Sequence, residues 1–156
     1  KGLSDLGGLA RRFQKKGEKN SVMVIDDYGH HPTEIMATLD AARNSWPENR
    51  VIVVFQPHRY TRTKELYDRF VISFNHSDVL IIEPIYAASE RPIEGVDYEW
   101  LYKGIREHGH KEVYLASGHD HALSLLKEMV KPGDRVITLG AGDVYKVGEG
   151  LLEAMR

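Results

Sequence analysis

Two stretches carry most of the side chains that could do chemistry. Residues 26–34 read DDYGHHPTE, and residues 56–63 read QPHRYTRT. In the second, Arg59 and Arg62 lie between an apolar run and a helical pattern. Cations at a helix start oppose the helix dipole, so their presence points to an anion between them. A guanidinium fork suits a carboxylate or a phosphate. The competing account is a solvated pair, or a salt bridge to Asp27. In the first stretch, Pro32 suits the first helical turn and Glu34 supplies half of a capping box, so both shape the loop. Asp26 is expected to cap backbone amides of the turn. That leaves Asp27 to accept from two hydroxyls, as from a ribose diol. His30 and His31 are adjacent, and adjacent side chains rarely point the same way, which argues against a metal site. One of them is expected to pack at the helix start and the other to face a ligand.

The remaining signals are weaker. GAGD at 140–143 begins like a dinucleotide fingerprint, but Tyr145 stands where the third glycine would fall. A tight turn with Asp143 as a helix cap is the expectation. His119 and His121 flank Asp120 and read as exposed imidazoles beside a cap. No G-x-x-x-x-G-K-[ST] phosphate loop occurs in the 156 residues.

These loops need elements to hold them. SVMVID (21–26), RVIVVF (50–55), SDVLIIE (77–83), EVYLA (112–116) and DRVITLG (134–140) are short apolar runs, suited to parallel strands buried on both faces. Helical stripes lie between them: Ile35, Leu39 and Ala42; Leu66, Phe70 and Phe74; Ala122, Leu126 and Met129; Val144, Val147 and Leu151. A further helix over 97–108 has Asp97 as N-cap and Gly109 just past its end. Residues 9–15 and the first core strand read as a hairpin turning at Gly17. The alternation predicts an α/β, Rossmann-like three-layer domain with a mostly parallel sheet and an N-terminal β-hairpin. Ligands of such sheets bind beyond the carboxyl ends of the strands, where both polar stretches fall.

Composition narrows the classes. The formal net charge is −2 and charged residues make up 28%. No field of one sign marks a nucleic-acid or membrane partner. The chain has no cysteine, so there is no disulfide framework and no thiolate zinc site, which fits a cytoplasmic setting. No apolar run is long enough to span a bilayer.

DDYGHHPTEI followed by VFQPHRYTRT resembles the C-terminal domain of the Mur ligases of peptidoglycan synthesis, as do LGGLARRFQKKG and LGAGDVYKVGE near the two ends. QPHRYTRT favours the branch that adds L-alanine to UDP-N-acetylmuramate over the branch that recycles muropeptides. The resemblance implies a single domain over residues 1–156. Its N-terminal and central ATPase domains, the latter with the phosphate loop and most of the Mg2+ site, are absent from the chain. It implies an ATP-dependent ligase acting through an acyl phosphate and a tetrahedral intermediate. Arg12 and Asp27 would meet the adenosine, with Asp27 on the ribose. Tyr28, His30, His58, Arg59 and Arg62 would line the pocket for alanine and the reacting carbonyl, with His30 or His58 taking the proton of the alanine ammonium. A stand-alone amino-acid or nucleotide binding module without catalysis is the alternative.

Overall fold

The computed structural model describes residues 12–155 of the chain. Six strands form one sheet: β1 (Gln14–Lys19), β2 (Val22–Asp27), β3 (Val51–Phe55), β4 (Val79–Ile82), β5 (Val113–Leu115) and β6 (Arg135–Leu139). Their order across the sheet is β1-β2-β6-β3-β4-β5. The helices are α1 (Pro32–Ser45), α2 (Tyr60–Glu65), α3 (Tyr67–Phe70), α4 (Tyr98–Glu107), α5 (His119–Met129) and α6 (Tyr145–Ala154). β2 to β6 are mutually parallel and β1 alone is antiparallel, paired with β2.

The apolar runs alternate faces with the strand period of two. Val51, Val53 and Phe55 pack with Ile35, Leu39, Phe70, Phe74, Leu101 and Ile105 on one side of the sheet. Ile52 and Val54 pack with Ala122, Leu126, Val144, Val147 and Leu151 on the other. Helices therefore cover both faces, as expected of a three-layer domain. Phe55 is central, with ring centroids 4.9 Å from Phe74 and 5.8 Å from Phe70. α4 has its expected cap, since Asp97 accepts from the Trp100 amide at 2.9 Å, and Gly109 follows its end at φ +105°.

Two expectations shift. The hairpin turns at Asn20–Ser21, both left-handed at φ 53° and 65°, because a two-residue hairpin needs positive φ at both central positions. The strand before it therefore runs over 14–19; residues 9–11 of the expected strand lie outside the described residues. Gly17 sits inside β1, beside an irregular register step, with Leu152 packed against it. The Leu66 stripe does bury Phe70 and Phe74, but its helix breaks at Leu66 (φ −106°, ψ 18°) into two short pieces.

The topology decides what reaches the site. Parallel strands bring the ends of β2, β3, β4, β5 and β6 to one edge. Antiparallel β1 starts at that same edge, Gln14 opposite Asp26, so Arg12 and Phe13 arrive there as well. The opposite edge is tied by ion pairs, Arg50 to Asp134 at 2.8 Å and Arg43 to Asp78 at 2.9 Å.

Candidate functional site

The loop after β2 is organised by Asp27. Its carboxylate is 2% exposed and accepts from the Gly29 amide at 2.7 Å, the Phe13 amide at 2.8 Å and the Thr38 hydroxyl at 3.1 Å. Burial pushes its pKa above the usual carboxylate value, against those bonds and the nearby Arg12. The turn-capping role expected of Asp26 thus belongs to Asp27. Asp26 points to the other face and accepts from the Thr138 hydroxyl at 2.6 Å. The exchange follows from strand alternation: consecutive residues face opposite sides of the sheet.

The capping box at α1 is complete. His31 is the N-cap, accepting from the Thr33 amide, while Glu34 accepts from the His30 amide at 3.0 Å and the His31 amide at 3.2 Å. The two histidines therefore divide as expected, His31 at the helix start and His30 turned elsewhere. The His30 ring sits 5.3 Å from Tyr28, edge on, and 5.7 Å from the ring of His58. Arg12 extends over this loop, its guanidinium 3.8 Å from Asp27 and 3.5 Å from Glu34, with the side chain 41% exposed.

The loop after β3 is held differently. His58 bridges to Tyr86 as an extra parallel pair, and Arg59 donates its amide to the Tyr86 carbonyl at 2.8 Å. The Tyr86 ring stacks on His58 at 5.5 Å and 15°. Arg59 itself is left-handed, φ 77°, a strained conformation for a non-glycine residue. The amides at the start of α2 go to Glu90, which accepts from Tyr60 at 2.6 Å, from the Thr61 amide at 3.1 Å and from the Thr61 hydroxyl. The Thr61 hydroxyl, before the amides, holds the Glu90 carboxyl below its usual range. The anion expected at this helix start is therefore the protein's own Glu90, which also lies close enough to Arg59 to interact with its charge. The guanidinium groups remain: Arg59 is exposed, while Arg62 folds back, Nη1 lying 3.2 Å from both the His58 carbonyl and the His58 Nδ1. No salt bridge joins either arginine to Asp27, whose cation is Arg12. Burial, then the positive surroundings of His30, Arg62 and Arg59, lowers the His58 pKa to about 4, so its ring is neutral at pH 7.

A third cluster at the same edge is missing from the sequence reading. His119, at the start of α5, lies 2.9 Å from Glu83 through Nδ1 and 3.0 Å from Asp143 through Nε2. Gln56 donates to the same Asp143 oxygen at 3.1 Å. Burial raises the Glu83 pKa. It also opposes charge on His119, but the two flanking acids outweigh it and the His119 pKa lies above its usual value. Asp143 does not cap α6, as had been expected; it ties the GAGD turn to α5 and β3. Neither this cluster nor Glu90 can be assembled from sequence spacing, because the partners are 24 to 36 residues apart or more. The signal for Glu83 is an acid closing an apolar run, the same one that marks Asp26 and Asp27.

The fold and the loops together define a three-layer α/β domain that carries arginines, histidines and capped loops at the carboxyl edge of its sheet. The sequence model described as "Mur ligase, glutamate ligase domain" matches residues 11–142, and the chain belongs to the Mur ligase family. It is 56% identical over 153 residues to UDP-N-acetylmuramate–L-alanine ligase of Desulforapulum autotrophicum, covering 98% of this chain and 34% of that protein. The ligase of the same name from Desulfosudis oleivorans is 53% identical over 154 residues, again covering 34% of its length. The chain thus spans about a third of the relatives it matches. Among solved structures, the UDP-N-acetylmuramate–alanine ligase of Thermotoga maritima superimposes with a TM-score of 0.75 at 23% identity, covering 92% of this chain and 29% of that one. No helix among the described residues is long and apolar enough to cross a membrane.

Proposed function

We propose that this chain is the C-terminal, amino-acid-binding domain of an ATP-dependent ligase that joins L-alanine to UDP-N-acetylmuramate in cell-wall synthesis. The observation that carries the reading is the meeting of Tyr28, His30, His58, Arg59 and Arg62 at one edge of the sheet, in a chain whose relatives bear that activity in their names. In this reading Arg59 and Arg62 take the alanine carboxylate, and the histidines face the reacting amine and carbonyl. The amine attacks an acyl phosphate of the muramate, and the tetrahedral intermediate releases phosphate.

Arg12 fits the nucleotide, being exposed beside the loop. Asp27 fits chiefly as the group that holds Arg12 and the loop, since its oxygens are engaged from within; a ribose diol would reach it by displacing the guanidinium. Magnesium is assigned in this reading to the central domain of the intact enzyme. That domain and the N-terminal one would be this chain's partners, in the cytoplasm. No phosphate loop occurs here, so this chain alone is expected to bind adenosine weakly and not to ligate.

The test is alanine-dependent phosphate release from ATP by the intact enzyme. Arg62→Ala should lower kcat/KM for alanine by about 10- to 100-fold, from loss of a charge-assisted bond of roughly 1.5–3 kcal/mol. ATP use should change little, and Arg62→Lys should recover only part, lacking the planar fork. Phosphate release indifferent to alanine would refute the reading.

A further inference from the structure

The two site histidines have partners that settle their tautomers in opposite senses. The Arg62 guanidinium only donates, and its Nη1 lies 3.2 Å from His58 Nδ1. That nitrogen must therefore present a lone pair, and the ring proton of neutral His58 sits on Nε2. The His30 Nδ1 lies 3.1 Å from the Tyr28 carbonyl oxygen, which only accepts. Here the proton sits on Nδ1 and the lone pair on Nε2. Among the described residues neither Nε2 has a protein hydrogen-bond partner, and neither is a buried unpaired atom.

We propose that these histidines have opposite roles in the ligase reaction: His30 takes a proton from the incoming amino group at Nε2, and His58 donates from Nε2–H to an oxygen of the acyl group. This rests on the ligase reading above and assigns the proton transfer within it. In the step, an ammonium N–H bond breaks and the His30 Nε2–H bond forms. The freed amine lone pair attacks the acyl carbon, the carbon–oxygen bond to phosphate breaks as the intermediate collapses, and the second proton lost from nitrogen leaves on the departing phosphate.

The surroundings agree with this division. Glu34 lies 3.7 Å from His30 Nδ1 and is held as an anion, although partly buried, by the His30 and His31 amides; it can stabilise an imidazolium on His30. His58 faces His30, Arg59 and Arg62, with Glu90 the opposing acid, and its depressed pKa keeps it a neutral donor. The rings are 5.7 Å apart, so a proton on His30 further disfavours one on His58. Stacked Tyr86 fixes the plane of His58, and edge-on Tyr28 that of His30.

Nitrogen-15 correlation spectra of this chain, labelled at histidine and held near pH 7, read the tautomers with no need of activity. The expected result is a protonated Nε2 on His58 and a protonated Nδ1 on His30, with Arg62→Met mixing the tautomers of His58 alone. The same tautomer on both rings overturns the proposal. In the intact enzyme, glutamine retains an amide N–H donor but cannot act as a base. His30→Gln should therefore lower kcat by about 100- to 10,000-fold. His58→Gln should lose less than about tenfold, and His58→Ala about 100-fold or more. Circular dichroism confirms that each variant is folded; where His30→Gln is not, the spectra decide alone. Glutamine tolerated at position 30 and not at 58 would reverse the roles and overturn the proposal. Correct tautomers in an enzyme without alanine-dependent phosphate release would instead sink the ligase reading.

Discussion

The loops after β2 and β3 do similar work by different means. Both leave a buried strand, carry a histidine and feed a helix. The first is closed almost entirely from within: Asp27 holds Gly29, and Glu34 and His31 cap α1. The second has no local cap. Arg59 precedes α2 with no capping side chain, and the helix amides are satisfied by Glu90, about thirty residues away. One loop is a local structure that tertiary packing confirms; the other exists only because a distant loop completes it. A self-closed loop should behave as part of the core, whereas a borrowed cap should couple site geometry to the distant loop that supplies it.

Substitution at Asp27 should give the largest effect on stability. Asp27→Ala leaves the Gly29 amide and the Thr38 hydroxyl buried without an acceptor, at a cost of about 3 kcal/mol. Urea unfolding of the chain measures it, and a loss under about 1 kcal/mol would mean the first loop is not built around this residue.

Within the same loop, Glu34→Ala removes half the capping box, and about 1 kcal/mol should go. Glu34→Gln keeps an acceptor and should recover most of it.

The mirror-image test is Glu90→Ala. Since Glu90 is at the surface, the thermal midpoint should fall only slightly, while the alanine requirement of the intact enzyme should rise several-fold as Arg59 and α2 lose their tether. A large stability loss with unchanged alanine use would show that the two loops do not differ in the way described.

The last effect is pH-dependent and vanishes at neutral pH. The folded-state pKa of His58 is about 4, below its unfolded value near 6.5, so the folded state binds fewer protons between these limits. Its contribution is intact above pH 6.5 and is lost as pH falls toward 4. His58→Gln should remove that acid sensitivity, roughly 1–2 kcal/mol at pH 4 after allowing for partial solvent screening of the ring. Equal acid slopes in parent and variant would place His58 outside the cationic pocket.

What the sequence determined by itself is whatever depends on neighbours along the chain. The five strand runs, of which the one at 112–116 lies at the sheet edge with Tyr114 exposed, the Asp97 cap, the Pro32–Glu34 helix start and the gathering of polar loops at one sheet edge all follow from periodicity and local hydrogen bonding. Tertiary structure decided which groups answer one another across the loops. Strand alternation assigned Asp27, not Asp26, to the turn, because which face is inward depends on what packs there. The hairpin turned at Asn20–Ser21 because the register with β2 sets the turn, and glycine content alone does not. Glu90 took the helix start meant for a ligand, and Glu83, His119 and Asp143 met although Asp143 reads locally as a helix cap and His119 as an exposed imidazole. A charge can be placed on a strand or helix from sequence, but its partner is fixed only when separate segments converge and burial makes an unpaired charge costly.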